Sequence, residues 1–175
     1  MDFVRVQELL PLLRVSPALT AHAERLGVEH LAGDFYGLYL DWDLLSPQPS
    51  WDLRTTFSAV SIRGRERMPS IAGLKGELDI SEKAATIVLD ATRVEFDYPK
   101  VFRQPLTITA LQGDVRIDRS AERVTVSSRD LKLETPHLQS RVWLDLLLGG
   151  DEVPFIDAYA VYENGDISAA SRYLP

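Results

Sequence analysis

From Gly33 onward the chain alternates apolar and polar residues almost without interruption. Tyr36, Leu38, Leu40, Trp42 and Leu44 fall on one face of an extended segment, with Tyr39, Asp41 and Asp43 on the other. A period of two is the mark of a half-buried strand. Ser46-Pro47-Gln48-Pro49 reads as a turn, and Trp51, Leu53, Thr55, Phe57 and Ala59 form the next face. Arg63 to Pro69 is a charged loop. Strands are then expected at 74–80, 84–98, 106–117, 123–134, 138–148 and 155–163. Asn164-Gly165 is a strong hairpin signal, with 166–172 returning from it.

Several strands change phase midway. Ile87, Leu89 and Ala91 occupy odd positions, whereas Val94 and Phe96 occupy even ones. Val124, Val126 and Ser128 give way to Leu131 and Leu133 in the same manner. Leu106, Ile108 and Ala110 switch the other way to Leu111, Val115 and Ile117. One extra residue flips the outward set, and its structural form is a β-bulge, which bends the strand. The expected fold is therefore mainly β: a long, curved antiparallel sheet of about eight or nine strands. Strands of about 12 residues span about 40 Å, long against the usual five or six residues.

Two of these segments answer each other. Residues 76–99 read GELDISEKAATIVLDATRVEFDYP, and residues 113–136 read GDVRIDRSAERVTVSSRDLKLETP. Glycine meets glycine, proline meets proline, and the phase break recurs, at an offset of 37 residues. A fixed period of this size indicates a repeat architecture, with function carried by a stacked surface.

Residues 1–32 differ and are expected to form a small N-terminal helical lead-in to the groove segment at 33–175. Leu9, Leu10, Leu12 and Leu13 suit a helical turn around Pro11. Ser16-Pro17 offers an N-cap with proline at the first helical position, and Gly27 ends the run Ala18, Leu19, His22, Ala23, Leu26. Phe3, Val4 and Val6 are a short strand or a lead-in.

The chain has 175 residues, 45% hydrophobic and 26% charged, with a net charge of −7 and no cysteine. The acidic balance argues against nucleic acid, which needs clustered Lys and Arg. It argues equally against docking on anionic headgroups. Without cysteine there is no disulfide framework and no thiolate metal site. No apolar run approaches the roughly 18 residues of a membrane helix. The first residues lack the basic start and cleavage site of a signal peptide. Ending on Tyr173-Leu174-Pro175 without a polar tail fits a piece of a longer chain.

Candidate chemistry is thin. Asp41 and Asp43 place two carboxylates on one strand face, but alternation already accounts for them as a solvent face. His22, His30 and His137 lack ligand spacing. Ser70, Ser127 and Ser128 have no nucleophile-elbow context. Gly73 and Gly76 are not followed by the residues of a phosphate loop. Arg63, Arg65 and Arg67 form the one basic cluster, either a solvated loop or a headgroup contact at a groove rim. Trp42, Trp51 and Trp143 are candidates for the groove or for a carbohydrate platform, and the parity of Trp143 puts it on the opposite face from Val142 and Leu144. No catalytic residue, metal or cofactor is expected.

The series LLPLLRVSPAL, GDFYGLYLDWD, RERMPSIAGLKGELDIS, VFRQPLTITALQGDVRID and NGDISAASRYLP resembles the YhdP-type AsmA-like family. Met68-Pro69-Ser70-Ile71-Ala72-Gly73-Leu74 matches a family segment, with Ser70 where glycine is more usual. Phe102-Arg103-Gln104-Pro105-Leu106 matches a second, and Arg172-Tyr173-Leu174-Pro175 a third. The resemblance covers nearly the whole chain. It implies a bridge-like lipid-transfer protein of Gram-negative bacteria, anchored in the inner membrane and crossing the periplasm as a repeating β-groove. The substrate so implied is the phospholipid acyl chain, moving toward the outer membrane.

Both lines converge on an open apolar trough. Its expected lining is Leu38, Leu40, Trp42, Phe57, Leu78, Ile80, Ile87, Leu89, Val94, Phe96, Ile108, Val115, Ile117, Val124, Val126, Leu131, Leu133, Val142, Leu144 and Leu146. The expected partners are phospholipid acyl chains and neighbouring groove segments of the parent chain. Raw strand edges are expected to self-associate. The alternatives are a closed β-sandwich module without lipid, and a carbohydrate-active β enzyme using Asp41 or Asp43.

Overall fold

The computed structural model describes residues 3–5, 28–43, 50–64, 69–100, 102–120, 123–149, 155–166 and 168–169. The strands are β1 (Phe3–Arg5), β2 (Val28–Asp43), β3 (Ser50–Gly64), β4 (Ser70–Ser81), β5 (Ala84–Ala91), β6 (Val94–Asp97), β7 (Leu106–Ile108), β8 (Ala110–Arg119), β9 (Arg123–Thr135), β10 (Leu138–Gly149) and β11 (Phe155–Glu163). They form one sheet in the order β1-β2-β3-β4-β5-β8-β9-β10-β11, with β6 beside β4 and β7 beside β6. Every pairing is antiparallel. No α-helix occurs among the described residues. The helical turns expected between residues 9 and 27 lie outside them, and β2 already begins within the expected lead-in.

β4 pairs with β5 through 76–80 and with β6 through 70–72. β5 and β6 are thus two halves of one long strand, broken at Thr92-Arg93. β7 and β8 are likewise halves of the next strand. At their junction Thr109 N–H donates to Glu134 O at 2.7 Å and carries the ladder on to β9. Serine closes two of the tight connections in the same way. Ser81 Oγ accepts from Ala84 N–H and donates to Ala84 O, and Ser120 Oγ does both with Arg123. A short hydroxyl side chain replaces the ladder bonds that a turn interrupts.

A line of bulges crosses the sheet. Ala59, Arg93 and Asp130 have positive φ, and each precedes an apolar residue: Val60, Val94 and Leu131. Across from each, in the paired strand before it, stands a positive-φ glycine. These are Gly33, Gly73 and Gly113, spaced 40 residues apart. A Cβ at Gly33 would lie 2.6 Å from Val60 Cγ2, and one at Gly73 would lie 2.8 Å from Arg93 O. Only glycine lets the backbones approach so closely at these φ values. Arg93 and Asp130, 37 residues apart, share the positive φ; Gly76, which that offset matches to Gly113, does not, and Gly73 takes its place.

The bulges crease the sheet, and the packed core lies in the crease. Ala91, Val94, Ile108 and Leu111 are buried there, against Ile71, Leu74, Leu89, Phe96, Leu131 and Leu133. These residues come from both sides of the bend and touch across it. The face that carries them is therefore the concave one.

Three local expectations are corrected. Tyr36 does not share a face with Leu38. It pairs with Thr56 and Tyr39 pairs with Arg54, so the bulge at Gly37 (φ 60) turns Tyr36 outward and Phe35 inward. The Phe35 ring lies 6.2 Å from that of Phe57. Ala59 is the bulge residue and exposed, and the buried Val60 takes the inner position. Ala110 pairs with Glu134 on the outer face, and Leu111 returns the strand to the inner one. Beyond Asn164 no strand returns within the described residues. Asp166 instead accepts bonds from the backbone N–H and the hydroxyl of Ser168, which closes a short 3-10 turn there.

Candidate functional site: a creased apolar trough

Residues that pair across strands share a face, so the register traces the trough floor directly. Leu40, Leu53, Ile80, Ala85, Ile117, Val126, Leu146 and Ile156 are joined pairwise in one row across eight strands. At about 4.8 Å per strand this row runs for about 34 Å. The parallel row one step toward the crease is Thr55, Leu78, Ile87, Val115, Ser128, Leu144 and Ala158. From Leu53 to Leu146 the apolar members are half-buried, whereas Ile156, on the outermost strand of the row, is exposed.

The opposite face carries charge. Tyr39, Arg54, Asp79, Thr86, Arg116, Ser127, Asp145 and Asp157 form the row directly behind the floor. Ion pairs brace it: Arg54 with Asp52 and Asp79, Arg116 with Asp118, and Arg129 with Asp145. A two-pronged pair joins Arg141 to Asp130. The hydrogen bond from Arg141 holds the Asp130 carboxyl below its ordinary range, and that from Arg116 does the same for Asp118. Exposed pairs of this kind contribute little stability. They do define which side meets water.

All the residues expected to line the trough fall on the concave face, but they are not equivalent. Leu78, Ile80, Ile87, Val115, Ile117, Val126, Leu144 and Leu146 form the half-buried floor. Val94 at 0%, Ile108 at 4% and Phe57 at 6% exposure are buried and support the floor. Leu89, Phe96, Leu131 and Leu133 pack against the buried cluster of Ala91, Val94, Ile108 and Leu111. Leu38, Leu40 and Trp42 stand well exposed on β2. The expected lining lacks Leu53, Ala85 and Ile156, which complete the first row, and Phe35, which pairs with Phe57. Leu53 alternates with Trp51 and Phe57 and was legible. Phe35 was hidden by the bulge at Gly37.

Trp143 lies on the outer face, as its parity indicated. It pairs with Arg129 and Tyr159, packs tilted at 44° against the Tyr159 ring with centroids 5.4 Å apart, and lies under the Arg141 guanidinium at 5.6 Å. Asp41 stands beside Asp52, exposed on the outer face. Neither lines either of two clefts found among the described residues. One, of about 470 Å³, is lined chiefly by Arg54, Thr56, Glu77, Asp79, Thr86 and Val88. The other, of about 320 Å³, is lined chiefly by Asp130, Lys132, Glu134, Arg141 and Glu163. Arg63 is exposed at the end of β3, while Arg65 and Arg67 lie outside the described residues. Among the described residues no cluster of His, Asp and Glu has the makings of a metal site. Nor is any helix there long and apolar enough to cross a membrane.

The described residues thus form one antiparallel sheet with an apolar face and a charged face. The family described as YhdP protein matches residues 1–175. The chain belongs to the YhdP family. No curated protein and no solved structure matches it. Membership in the YhdP family points to the lipid-transport bridges that the sequence resemblance implied.

Proposed function

We propose that this YhdP-family chain is a non-enzymatic segment of a periplasmic bridge, part of an inner-membrane-anchored parent, and that it conducts phospholipid acyl chains along its trough toward the outer membrane. The observation that carries the reading is the aliphatic row from Leu40 to Ile156, continuous across eight strands and without a second layer of described residues above it. A closed sandwich would need that second layer. Each methylene moved from water onto the floor contributes roughly 0.8 kcal/mol. The row runs across the strands, so a chain moving along it meets a new aliphatic side chain every 4.8 Å or so. Successive positions then have similar energies, and the hydrocarbon is held without being fixed. The charged outer face keeps the assembly in water.

Purified protein extracted into organic solvent and analysed by mass spectrometry is expected to yield phospholipid in near-stoichiometric amount. A folded protein that carries no lipid and takes none up from vesicles would contradict the reading.

A further inference from the structure

Among the described residues four polar side chains are buried on the apolar face, and all are hydroxyls: Thr55, Ser128, Thr135 and Ser140. Each donates to a backbone carbonyl. Two of them stand in the parallel row beside the crease, Thr55 at 5% and Ser128 at 2% exposure. Both sit where the ladder is broken. The β8–β9 register shifts between Gln112 and Val115, and Ser128, the partner of Val115, donates to Asp114 O at 2.7 Å. The β2–β3 register shifts between Tyr36 and Tyr39, and Thr55 donates to Tyr36 O at 2.9 Å. Thr56 reaches the same carbonyl at 3.2 Å from the outer side. Bulges are required to crease the sheet, yet each interrupts the regular pairing of carbonyls next to the trough.

We propose that Thr55 and Ser128 are positioning residues of the trough: their hydroxyls occupy the bulge carbonyls from the apolar side and keep the floor free of hydrogen-bond acceptors. This rests on the conduction reading above. An acceptor on the floor would be a stop, because a passing hydroxyl, amide or ammonium would bond to it in an apolar setting where such a bond is strong. With the carbonyls occupied from within, the floor distinguishes ligands by hydrocarbon alone. The two polar residues in an otherwise aliphatic row thereby make the row behave as aliphatic.

The test compares 1-decanol with decyl methyl ether, which has nearly the same chain but no donor. Binding to the 175-residue chain is read by displacement of diphenylhexatriene. In Ser128→Ala the Asp114 carbonyl opens to the trough, and the ratio of decanol to ether affinity is expected to rise about fivefold, the worth of one net hydrogen bond. Ser128→Thr keeps the hydroxyl and is expected to restore the original ratio. A purely structural role would lower both affinities together and leave the ratio unchanged. Should Ser128→Ala not fold, Ser128→Cys, whose thiol is a similarly sized but weak donor, tests the same point at Asp114 O. Unchanged ratios in the folded variants overturn the inference while leaving conduction standing. Failure of the unmodified protein to bind either probe overturns the conduction reading, and this inference with it.

Discussion

Val126→Glu is expected to abolish lipid carriage while leaving the protein folded. Val126 pairs with Ile117 on one side and Leu146 on the other, in the middle of the aliphatic row. It is half-buried, with no second layer of described residues over it. A glutamate there can turn its carboxylate to water, so the fold loses only about 1–2 kcal/mol, as for most single substitutions. A hydrocarbon crossing the same point must either desolvate the charge or lift off the floor. Desolvation costs several kcal/mol, and lifting off four methylenes forfeits about 3 kcal/mol. Either route weakens binding by about a hundredfold or more. Bound phospholipid per protein, measured by mass spectrometry beside a thermal melt, checks this. Ser127→Glu moves the charge one residue, to the outer face between Arg116 and Asp145, and is expected to leave bound lipid unchanged. Val94→Glu is the opposite control. Val94 has no exposure, so an unpaired charge in the crease core is expected to unfold the chain.

Gly73→Ala is expected to lower the melting temperature by about 10 °C, against a few degrees for Gly37→Ala. Gly73 has φ +86, and a Cβ would meet Arg93 O at 2.8 Å. The backbone term costs about 1–2 kcal/mol and overpacking about the same again. For a chain of this length each kcal/mol shifts the melt by about 2–4 °C. Gly37 shares the positive φ (+60) but has nothing within 4 Å, so only the backbone term applies. Circular dichroism melts of the two variants measure the difference. Equal losses would mean that close approach at the crease contributes nothing beyond backbone conformation.

The strands were legible because burial on one face writes itself as alternation. The expected strands at 123–134, 138–148 and 155–163 stand as Arg123–Thr135, Leu138–Gly149 and Phe155–Glu163. The phase breaks before Val94 and Leu131 were visible because polar Arg93 and Asp130 interrupt the pattern. The break at Ala59 was not, since Ala59 and Val60 are both apolar and either fits an inward position. What decides between them is Gly33, on the neighbouring strand, which contacts Val60 only once the chain has folded. Tyr36 was misplaced for a related reason, because an amphipathic tyrosine satisfies either face. The floor rows were half legible. Alternation names the inward residues of each strand, but register joins them into a line, and register depends on bulges that leave only faint local signals. Alternation places Thr55 with Leu53 and Phe57, and Ser128 with Val124 and Val126, but their hydrogen bonds to the carbonyls of Tyr36 and Asp114 depend on register and leave no local signal.

Site-specific photocrosslinking along β8 tests the central claim most directly. With p-benzoylphenylalanine placed in turn at positions 114 to 118 and the protein exposed to phospholipid vesicles, positions 115 and 117 should capture lipid. Positions 114, 116 and 118 should not. Labelling that ignores this alternation, or favours the charged face, would contradict an acyl-chain trough on the concave side.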